Sequence, residues 1–507
     1  MSVPLDLVLV NPGGRARIYQ TLGERLTAVE NPVWAGLIAT FVRRRGFSVR
    51  IVDAGGEELT PEQTADRIVQ DAPRLVAIVV YGHQPSASTQ NMAGASAIVG
   101  AIKDRTPGTK VLMLGGHVAA LPGRTLAEER CDFVARDEGL YAVVDLLDAL
   151  RATSSPDLRA VRGLMYRRDG GVATNLPAPL ITDLDAEMPG IAWNLLPMAK
   201  YRAHNWHCFG DLPREPYAAL YTTLGCPYHC SFCCIQAPFK EGERALGIGP
   251  AVNTYRFWSP QRVVEEIDVL VNAYGVRNIK LADEMFVLNA QHVIGICDLL
   301  IERGHDLNIW AYARVDTVTD VMLDKLRRAG IQWLALGIEA ASEEVLADVE
   351  KRYDVDEIYR TARRVKAAGI NIIGNYIFGL PEDSMETMEA TLRLALELKC
   401  EFVNFYAAMA YPGSPLHARA VQEGWRLPDH WSGYSQHAPE TLPLPTRHLS
   451  AGDVLRFRDR AFNIYFSDPG YLDLVREKFG DATVAHVREM ASHRLDRLYV
   501  ASGFSRT

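Results

Sequence analysis

The sequence predicts an α/β protein that has two parallel sheets in succession and a small, mostly helical region at the carboxyl end. Over residues 1–150, short stretches of branched apolar residues alternate with helical stretches, as in a doubly wound parallel sheet covered on both faces. Over residues 216–416, six further strand–helix units predict a partial or full parallel β/α barrel. Residues 151–215 are expected to connect these two parts, and residues 417–507 to cap the second.

Five short strands build the predicted first sheet, at residues 5–10, 48–53, 75–81, 110–114 and 133–136. Helices are predicted between and after them, at residues 32–45, 61–71, 86–104, 124–129 and 140–151. Ligands of such sheets bind in the crevice at the carboxyl ends of the strands. The loops at those ends are rich in glycine, which lets backbone amides approach a ligand closely, although tight turns would show the same residues.

Six strands are predicted for the barrel, at residues 218–224, 278–283, 307–313, 332–338, 371–378 and 402–408. Ser259 before Pro260 predicts a helix start, and Gly275 and Gly304 stand where helix ends are expected. The chemistry of a parallel barrel belongs at the carboxyl ends of its strands. After residue 415 the sequence is irregular and aromatic-rich, and it is then predicted to be helical over residues 451–499.

Charge and composition exclude several classes of protein. The chain has 54 Lys and Arg against 62 Asp and Glu, a net charge of −8, which argues against a strongly basic nucleic-acid binder. Its apolar runs are too short to span a bilayer, and the amino terminus has no basic segment of a secretory signal. We therefore expect a cytoplasmic monomer that acts on a small molecule, with no nucleic-acid or membrane partner.

Cysteine spacing is the most informative local feature. Four of the eight cysteines are clustered, at Cys226, Cys230, Cys233 and Cys234, which in a reducing compartment predicts a metal site or a reactive thiol. The first three have the spacing C-x3-C-x2-C. Three thiolates can hold three irons of a 4Fe–4S cluster and leave the fourth iron open to another ligand. Zinc is the alternative, but zinc sites favour paired C-x2-C units and the sequence has no second pair.

This cysteine loop, placed directly after the first barrel strand and with Phe232 before its last cysteine, resembles the radical S-adenosylmethionine (SAM) superfamily. The resemblance implies that SAM binds the open iron through its amino and carboxylate groups. It also implies reductive cleavage of SAM to methionine and a 5′-deoxyadenosyl radical. Cys234 lies outside the motif and is interpreted as structural, with a ligand or redox role as the alternative.

The resemblance continues at the ends of the later barrel strands, where it implies contacts to SAM. Asp283 and Glu284 are the candidate carboxylates for the amino group of SAM, and Arg314 suits its carboxylate. Any one of these charges could instead form a surface ion pair. The residues implied as SAM contacts are Phe232, Asp283, Glu284, Arg314, Glu339, Asn375 and Glu382. Asn375 stands where the family has a glycine, which makes the adenine contact there less secure.

A doubly wound sheet ahead of such a barrel is similar to the cobalamin-dependent branch of the superfamily, so the first sheet is expected to be a Rossmann-like cobalamin domain. The residues implied as cobalamin contacts are Asn11, Gly14, His83, Gln84, Ser86, Gly115, Gly116, His117, Glu138 and Gly139. The loop that begins at Asn11 lacks the D-x-H-x-x-G motif of proteins that give cobalt a histidine ligand. The resemblance therefore implies cobalt with neither that histidine nor its own base beneath it. His83 is expected either to face the corrin or merely to cap the turn after the third strand.

The combined resemblance implies a cobalamin-dependent radical SAM C-methyltransferase that methylates an unactivated carbon of a small metabolite. An external electron donor such as flavodoxin or ferredoxin would reduce the cluster. Tyr406 and Tyr411, near the end of the sixth barrel strand, are the candidate residues for the reacting substrate. Aromatic residues of the cap, including Trp431, Tyr434 and His437, could pack on a ring-shaped substrate or form the core of the cap. The alternatives are a cyclase or rearrangement enzyme without net methyl transfer, and a non-catalytic sensor.

Overall fold

The computed structural model of the chain describes residues 5–152 and 156–498. Residue 499, the last position of the predicted carboxyl-terminal helix, lies outside the described residues, as do the outermost positions of the predicted first and last regions. The expected α/β architecture is confirmed: two largely parallel sheets follow one another along the chain, and helices end it.

The first sheet has seven strands in the order β2-β1-β3-β4-β5-β6-β7, of which β1 to β5 are parallel. They are β1 (Leu7–Asn11), β2 (Val49–Asp53), β3 (Leu75–Val79), β4 (Val111–Leu114), β5 (Phe133–Ala135), β6 (Leu164–Arg168) and β7 (Gly171–Thr174). The chain order reverses between β1 and β3, which is the switch point where such sheets bind ligands. The antiparallel hairpin β6–β7 extends the sheet at β5.

Helices cover both faces of this sheet. Along β1, Leu7 and Leu9 belong to one apolar core and Val8 and Val10 to the other, because successive side chains of a strand point to opposite faces. The helices are α1 (Arg15–Tyr19), α2 (Leu22–Arg25), α3 (Val33–Arg43), α4 (Pro61–Asp71), α5 (Pro85–Arg105), α6 (Gly116–Ala120), α7 (Pro122–Glu128) and α8 (Leu140–Ala152). The short helices α1, α2 and α6 fall in segments for which the sequence predicts loops.

A connector with little regular structure follows. It contains α9 (Leu184–Glu187) and several single turns, and it is anchored on the barrel by Glu266, which accepts hydrogen bonds from Ile191 N (2.8 Å) and Trp193 Nε1. Burial raises the pKa of Glu266 to about 7.

The second sheet has six parallel strands in the order β15-β14-β13-β12-β11-β8. They are β8 (Tyr217–Leu220), β11 (Asn278–Leu281), β12 (Asn308–Arg314), β13 (Ile331–Glu339), β14 (Asn371–Phe378) and β15 (Phe402–Ala407). Within the described residues β8 and β15 do not pair, so of the two predicted forms the partial barrel is the one observed. The predicted strand at residues 218–224 divides into β8 and the short β9 (Thr223–Gly225), which pairs antiparallel with β10 (Tyr255–Phe257).

Helices cover the outer face of the partial barrel. The helices between and after its strands are α10 (Lys240–Ala245), α11 (Pro260–Tyr274), α12 (Ala290–Arg303), α13 (Asp320–Arg328), α14 (Glu343–Asp348), α15 (Val355–Ala367), α16 (Met385–Leu398) and α17 (Pro415–Gln422). Ser259 caps α11 by accepting a hydrogen bond from Arg262 N, as the Ser-Pro pair predicts, and Gly275 ends the same helix in a left-handed conformation.

The carboxyl-terminal helices α18 (Ala451–Ser467) and α19 (Pro469–Ser492) also pack on the barrel. Arg458 Nε donates to Phe405 O (2.8 Å), and Tyr465 OH donates to Cys400 O (2.6 Å), so α18 lies against β15 and the turn before it. Gly480 interrupts α19 with a φ of 84°. In the described part of the chain, every helix is too short or too polar to cross a membrane.

Both edges of the partial barrel are capped by a side-chain amide. At the β8 edge, Ala219 N donates to Asn31 Oδ1 (2.7 Å) and Asn31 Nδ2 donates to Ala219 O (3.0 Å). At the β15 edge, Ala407 N donates to Gln436 Oε1 (2.8 Å) and Gln436 Nε2 donates to Ala407 O (2.9 Å). An unpaired edge would leave these buried backbone groups without partners, so both amides stabilise the open sheet.

We expect Asn31→Ala to lower the stability of the fold by about 2–3 kcal/mol, because it leaves the buried N–H and C=O of Ala219 unpaired. The thermal unfolding midpoint of purified protein measures this. Asn194→Ala is the matched control, since Asn194 is exposed and accepts from Arg43 at the surface; its effect should stay within about 0.5 kcal/mol. Equal midpoints for the two variants would contradict the edge-capping role.

Candidate active site

The carboxyl ends of the two sheets meet at one cavity. Tyr81 and Gly116 follow β3 and β4 of the first sheet, and Tyr221 and Glu284 follow β8 and β11 of the barrel. The cavity is lined by Trp34, Tyr81, Gly82, Pro85, Ser88, Gly116, Tyr221, Thr223, Leu224, Gly225, Cys234, Ile235, Pro238, Phe239 and Glu284. The ligand-binding edges that parallel sheets and barrels share are thus joined in a single space.

Contacts between the two sheets fix the walls of this cavity. Arg256 from β10 binds both carboxylate oxygens of the buried Glu138, at 2.7 and 3.2 Å. The ring of Trp34 in α3 lies against Tyr221, which follows β8, with centroids 6.5 Å apart. Gln84 Nε2, after β3, donates to Tyr312 OH of β12 (2.6 Å). Glu138 and Gln84, both expected to contact cobalamin, therefore also tie the first sheet to the barrel.

The cysteine motif lies on the loop between β9 and α10. Cys226, Cys230 and Cys233 are free thiols, and Arg314 Nη1 lies 3.6 Å from Cys230 Sγ. Burial raises the pKa of Cys226 to about 12. Among the residues that the structure describes, no three His, Cys, Asp or Glu side chains are gathered to hold a metal ion. The fit of an iron–sulfur cluster therefore rests on the donor chemistry: three thiols on one loop, none in a disulfide, beside a guanidinium that offsets thiolate charge.

The adjacent Cys234 lines the cavity and is buried. Burial raises the pKa of its thiol to about 12. The structure thus places Cys234 beside Glu284 and Gly116, in the space between the sheets.

The two candidate carboxylates after β11 have different environments. Asp283 is buried and accepts hydrogen bonds from the backbone and side chains of Thr222 and Thr223, including Thr222 N at 2.8 Å and Thr223 Oγ1 at 2.7 Å. These bonds pull the chain out of the sheet after β8, which explains why the predicted strand divides. Burial raises the pKa of Asp283 to about 6 and that of Glu284 to about 8. Glu284 lines the cavity and is the better placed of the two to bind an amino group.

Two other expected SAM contacts are held by ion pairs that sequence reasoning missed. Arg314, at the end of β12, binds both oxygens of Asp316, at 2.9 and 3.0 Å. Glu339, at the end of β13, has a φ of 61° and pairs with the buried Lys351. A positive φ is uncommon outside glycine, so the surrounding structure fixes the direction of the Glu339 side chain.

The remaining expected SAM contacts lie elsewhere at the carboxyl edge of the barrel. Asn375 Oδ1 accepts from Asn404 Nδ2 (2.9 Å), and Glu382 Oε1 lies 3.1 Å from Arg447 Nε. Phe232 is half-buried and packs against the core. The described lining of the cavity includes none of these three.

Glycines at the end of the first sheet are required by the backbone. Gly115 has a φ of 140°, and a Cβ there would clash with Val80 O. Gly139 has a φ of 87° and faces the Leu114 side chain, and Gly14 has a φ of 134°. A Cβ on Gly94 of α5, which the sequence does not single out, would collide with Gly13 O. The loops at this edge therefore pack closely, as a ligand crevice requires.

The side chains expected to contact cobalamin make contacts of their own. Asn11 Nδ2 donates to Asp53 Oδ1 (2.7 Å). His83 Nε2 donates to Asn31 O (2.7 Å), and its Nδ1 lies 3.2 Å from Glu30 Oε1. This geometry favours the second expectation for His83, a residue that holds the turn after β3. Ser86 lies in the first turn of α5.

His117 carries the observation that best fits a ligand in the crevice. Its Nδ1 lies 3.1 Å from Thr89 Oγ1, but its Nε2 is buried without a hydrogen-bond partner. Burial lowers the pKa of His117 to about 3, so the ring is neutral. Trp431 covers it edge-on with ring centroids 4.4 Å apart, and Arg124 lies over Trp431. A polar group of a bound cofactor would satisfy this orphaned nitrogen.

Tyr406 and Tyr411 are both half-buried and project near the cap. Tyr411 OH donates to Tyr434 O (3.2 Å), and burial raises the pKa of Tyr411 to about 12. Tyr312, which sequence reasoning missed, lies between Gln84 and Tyr406; burial and the neighbouring Tyr406 raise its pKa. Its position at the carboxyl end of β12, where the chemistry of a parallel barrel belongs, could have indicated Tyr312 as a site residue.

Comparison with known proteins identifies both halves of this site. The family model of the B12 binding domain matches residues 19–147, and that of the Radical SAM superfamily matches residues 220–395. An uncharacterized methyltransferase of Pyrococcus horikoshii is 28% identical over 92% of this chain and 94% of its own. The anaerobic magnesium-protoporphyrin IX monomethyl ester cyclase of Cereibacter sphaeroides is 27% identical over 89% of this chain and 68% of its own.

The fold also matches a solved structure. The radical SAM methyltransferase TsrM from Kitasatospora setae, solved with cobalamin and a [4Fe-4S] cluster, superposes with a TM-score of 0.67 at 17% identity, over 92% of this chain and 90% of that chain. The chain therefore combines a B12 binding domain with a domain of the Radical SAM superfamily, and in this combination it resembles the family of cobalamin-dependent radical SAM enzymes. The cofactors expected from the sequence, a 4Fe–4S cluster, SAM and cobalamin, are those of this family.

We expect alanine at Cys226, Cys230 or Cys233 to abolish the iron–sulfur cluster, because each thiolate would hold one iron. Iron and sulfide content after anaerobic reconstitution measures this. Cys234→Ala is the matched control, since that thiol is adjacent and buried but outside the motif, and it should keep wild-type iron content. A Cys230→Ala protein with a full complement of iron would refute the ligand assignment.

We expect Glu284→Gln to weaken SAM binding to the cluster-loaded protein by about tenfold, since a hydrogen bond to a carboxylate is lost from a buried site. Equilibrium dialysis with SAM gives the dissociation constants. Glu265→Gln, on the exposed face of α11, should leave them unchanged. Wild-type affinity in Glu284→Gln would remove Glu284 from the SAM site.

Proposed function

We propose that the chain is a cobalamin-dependent radical SAM C-methyltransferase that methylates an unactivated carbon of a small metabolite. The observation that carries the proposal is the single cavity shared by the two sheets, which brings Gly116 and Ser88 of one to Cys234 and Glu284 of the other. We assign cobalamin binding to residues 1–150 and SAM cleavage to residues 216–416, joined by the connector 151–215 and closed by residues 417–507.

When bound, the cluster and SAM supply a 5′-deoxyadenosyl radical and cobalamin supplies the methyl group. The chain positions these groups and excludes water. Glu284 would hold the amino group of SAM, and Arg314 its carboxylate. The glycine loops at Gly14, Gly115 and Gly139 would let the backbone approach the corrin.

Two segments from opposite ends of the chain would cover the cavity. Ser435 Oγ donates to Ile18 O (2.8 Å), and Gln20 Nε2 donates to His437 O (2.6 Å), so the segment after β15 meets the segment after β1. Trp431 and Tyr434 stack beside each other on the same side. This cover would keep water from a radical formed beneath it.

Tyr406 and Tyr411 are proposed to contact the substrate, because they are half-buried at the carboxyl end of the barrel under this cover. An external electron donor such as flavodoxin or ferredoxin is proposed to reduce the cluster.

A cyclase without net methyl transfer is the second candidate function, favoured by the similarity to the anaerobic ester cyclase of Cereibacter sphaeroides. The same fold and cofactors would serve either outcome, since fold alone does not define the reaction.

Anaerobic incubation of reduced holoenzyme with deuterated-methyl SAM and a metabolite extract distinguishes the two. We expect 5′-deoxyadenosine and a product that carries the labelled methyl group, both absent with Cys230→Ala. A product with ring closure and no label would exclude methyl transfer and establish the second function.

A further inference from the structure

Glu30 is a half-buried acidic residue of the first domain that no motif singles out. It lies in the segment between α2 and α3, next to Asn31, and so at the β8 edge of the barrel. Three polar groups lie close to its Oε1: Lys280 Nζ at 2.9 Å, Tyr217 OH at 3.2 Å and His83 Nδ1 at 3.2 Å. Its other carboxylate oxygen, Oε2, makes no hydrogen bond within the described residues.

The carboxylate of Glu30 is partly exposed, although the groups bound to its Oε1 are not. The Glu30 side chain is 27% exposed, whereas Lys280 is 2% exposed and Tyr217 is fully buried. Glu30 is thus the accessible member of a group of otherwise buried side chains.

Four neutral polar side chains, Tyr19, Gln84, Tyr312 and Tyr406, are half-buried like Glu30. We name these five residues the inner pocket. Burial and the carboxylate of Glu30 raise the pKa of Tyr19 to about 12. Burial, Tyr406, Glu284 and Glu30 together raise the pKa of Tyr312. Tyr312 therefore lies within electrostatic reach of both Glu30 and Glu284.

Glu30 is the anionic group of this pocket. Although burial favours the neutral acid, His83 and Lys280 hold its pKa well below the ordinary range. Its Oε2 makes no hydrogen bond within the described residues, so it is available to accept one from a ligand.

We propose that Glu30 Oε2 anchors the methyl-accepting substrate by accepting a hydrogen bond from its ammonium or neutral N–H group. This inference rests on the proposed function, since it names the substrate class of the same site. The tyrosines and Gln84 would hydrogen-bond the rest of the molecule. An anionic group would be repelled from this position.

The experiment uses holoenzyme, deuterated-methyl SAM and a metabolite extract divided into three fractions: retained on a cation exchanger, retained on an anion exchanger, and unretained. We expect the labelled product in the first fraction for an ammonium or in the third for a neutral N–H substrate. A labelled product whose precursor has no N–H donor would overturn the proposal.

The substrate identified from the labelled product is then titrated against the wild type and two variants, Glu30→Gln and Tyr217→Phe. Glu30→Gln should raise the KM at least about tenfold, with smaller change in kcat, because the anchoring charge is lost. Tyr217→Phe is the matched control, since it removes a donor from Oε1 and leaves Oε2 in place; its KM should equal that of wild type. Equal KM for wild type and Glu30→Gln would overturn the proposal, as would equal increases in the two variants, which would indicate a purely structural role.

Results that contradict the proposed function differ from those that contradict the role of Glu30. Wild-type holoenzyme that formed no 5′-deoxyadenosine, or bound no cobalamin, would contradict the function itself. Wild-type activity with an unaltered Glu30→Gln KM would contradict only the anchoring role.

Discussion

The open edges of the partial barrel are the constraint on which the rest of the structure depends. A parallel sheet that does not close exposes backbone groups at β8 and β15, and burial of those edges requires partners for them. The chain provides one carboxamide at each edge, Asn31 from the first sheet and Gln436 from the cap. Each cap fixes the position of its own segment. The first sheet and the cover are thereby held against the carboxyl end of the barrel, where the cavity forms.

The charges around the cavity follow from the same burial. Lys280 is held by Glu30, Lys351 by Glu339, and Arg314 by Asp316, since an unpaired buried charge is strongly unfavourable. These pairs leave few polar groups free to bind a ligand. Among the described residues, Glu284, one oxygen of Glu30 and Nε2 of His117 are not held in such pairs, and they lie at different places around the space between the sheets. Three different ligand groups could therefore be bound without competition for one residue.

The sequence predicts the features that depend only on short segments of the chain. Strands of branched apolar residues, the Ser-Pro helix start and the cysteine spacing are properties of short segments, and the fold and the family follow from them. The contacts that complete the site are distant: Lys280 pairs with Glu30 across 250 residues, and Asn31 caps Ala219 across 188. The division of the first barrel strand likewise depends on Asp283, about sixty residues later. Spacing along the chain carries no signal for such pairs, so Glu30 and Lys351 were not predictable.

Structural and functional roles coincide at the interface. Two pairs of adjacent residues, Glu30 with Asn31 and His83 with Gln84, tie the first domain to the barrel. Glu30 and Gln84 also belong to the inner pocket. Loss of activity in a variant of this interface therefore does not by itself distinguish a displaced sheet from a lost substrate contact. Comparison of two variants separates these effects. Tyr217→Phe removes one donor from Oε1 and leaves the carboxylate in place, whereas Glu30→Gln also removes the charge that is proposed to bind the substrate.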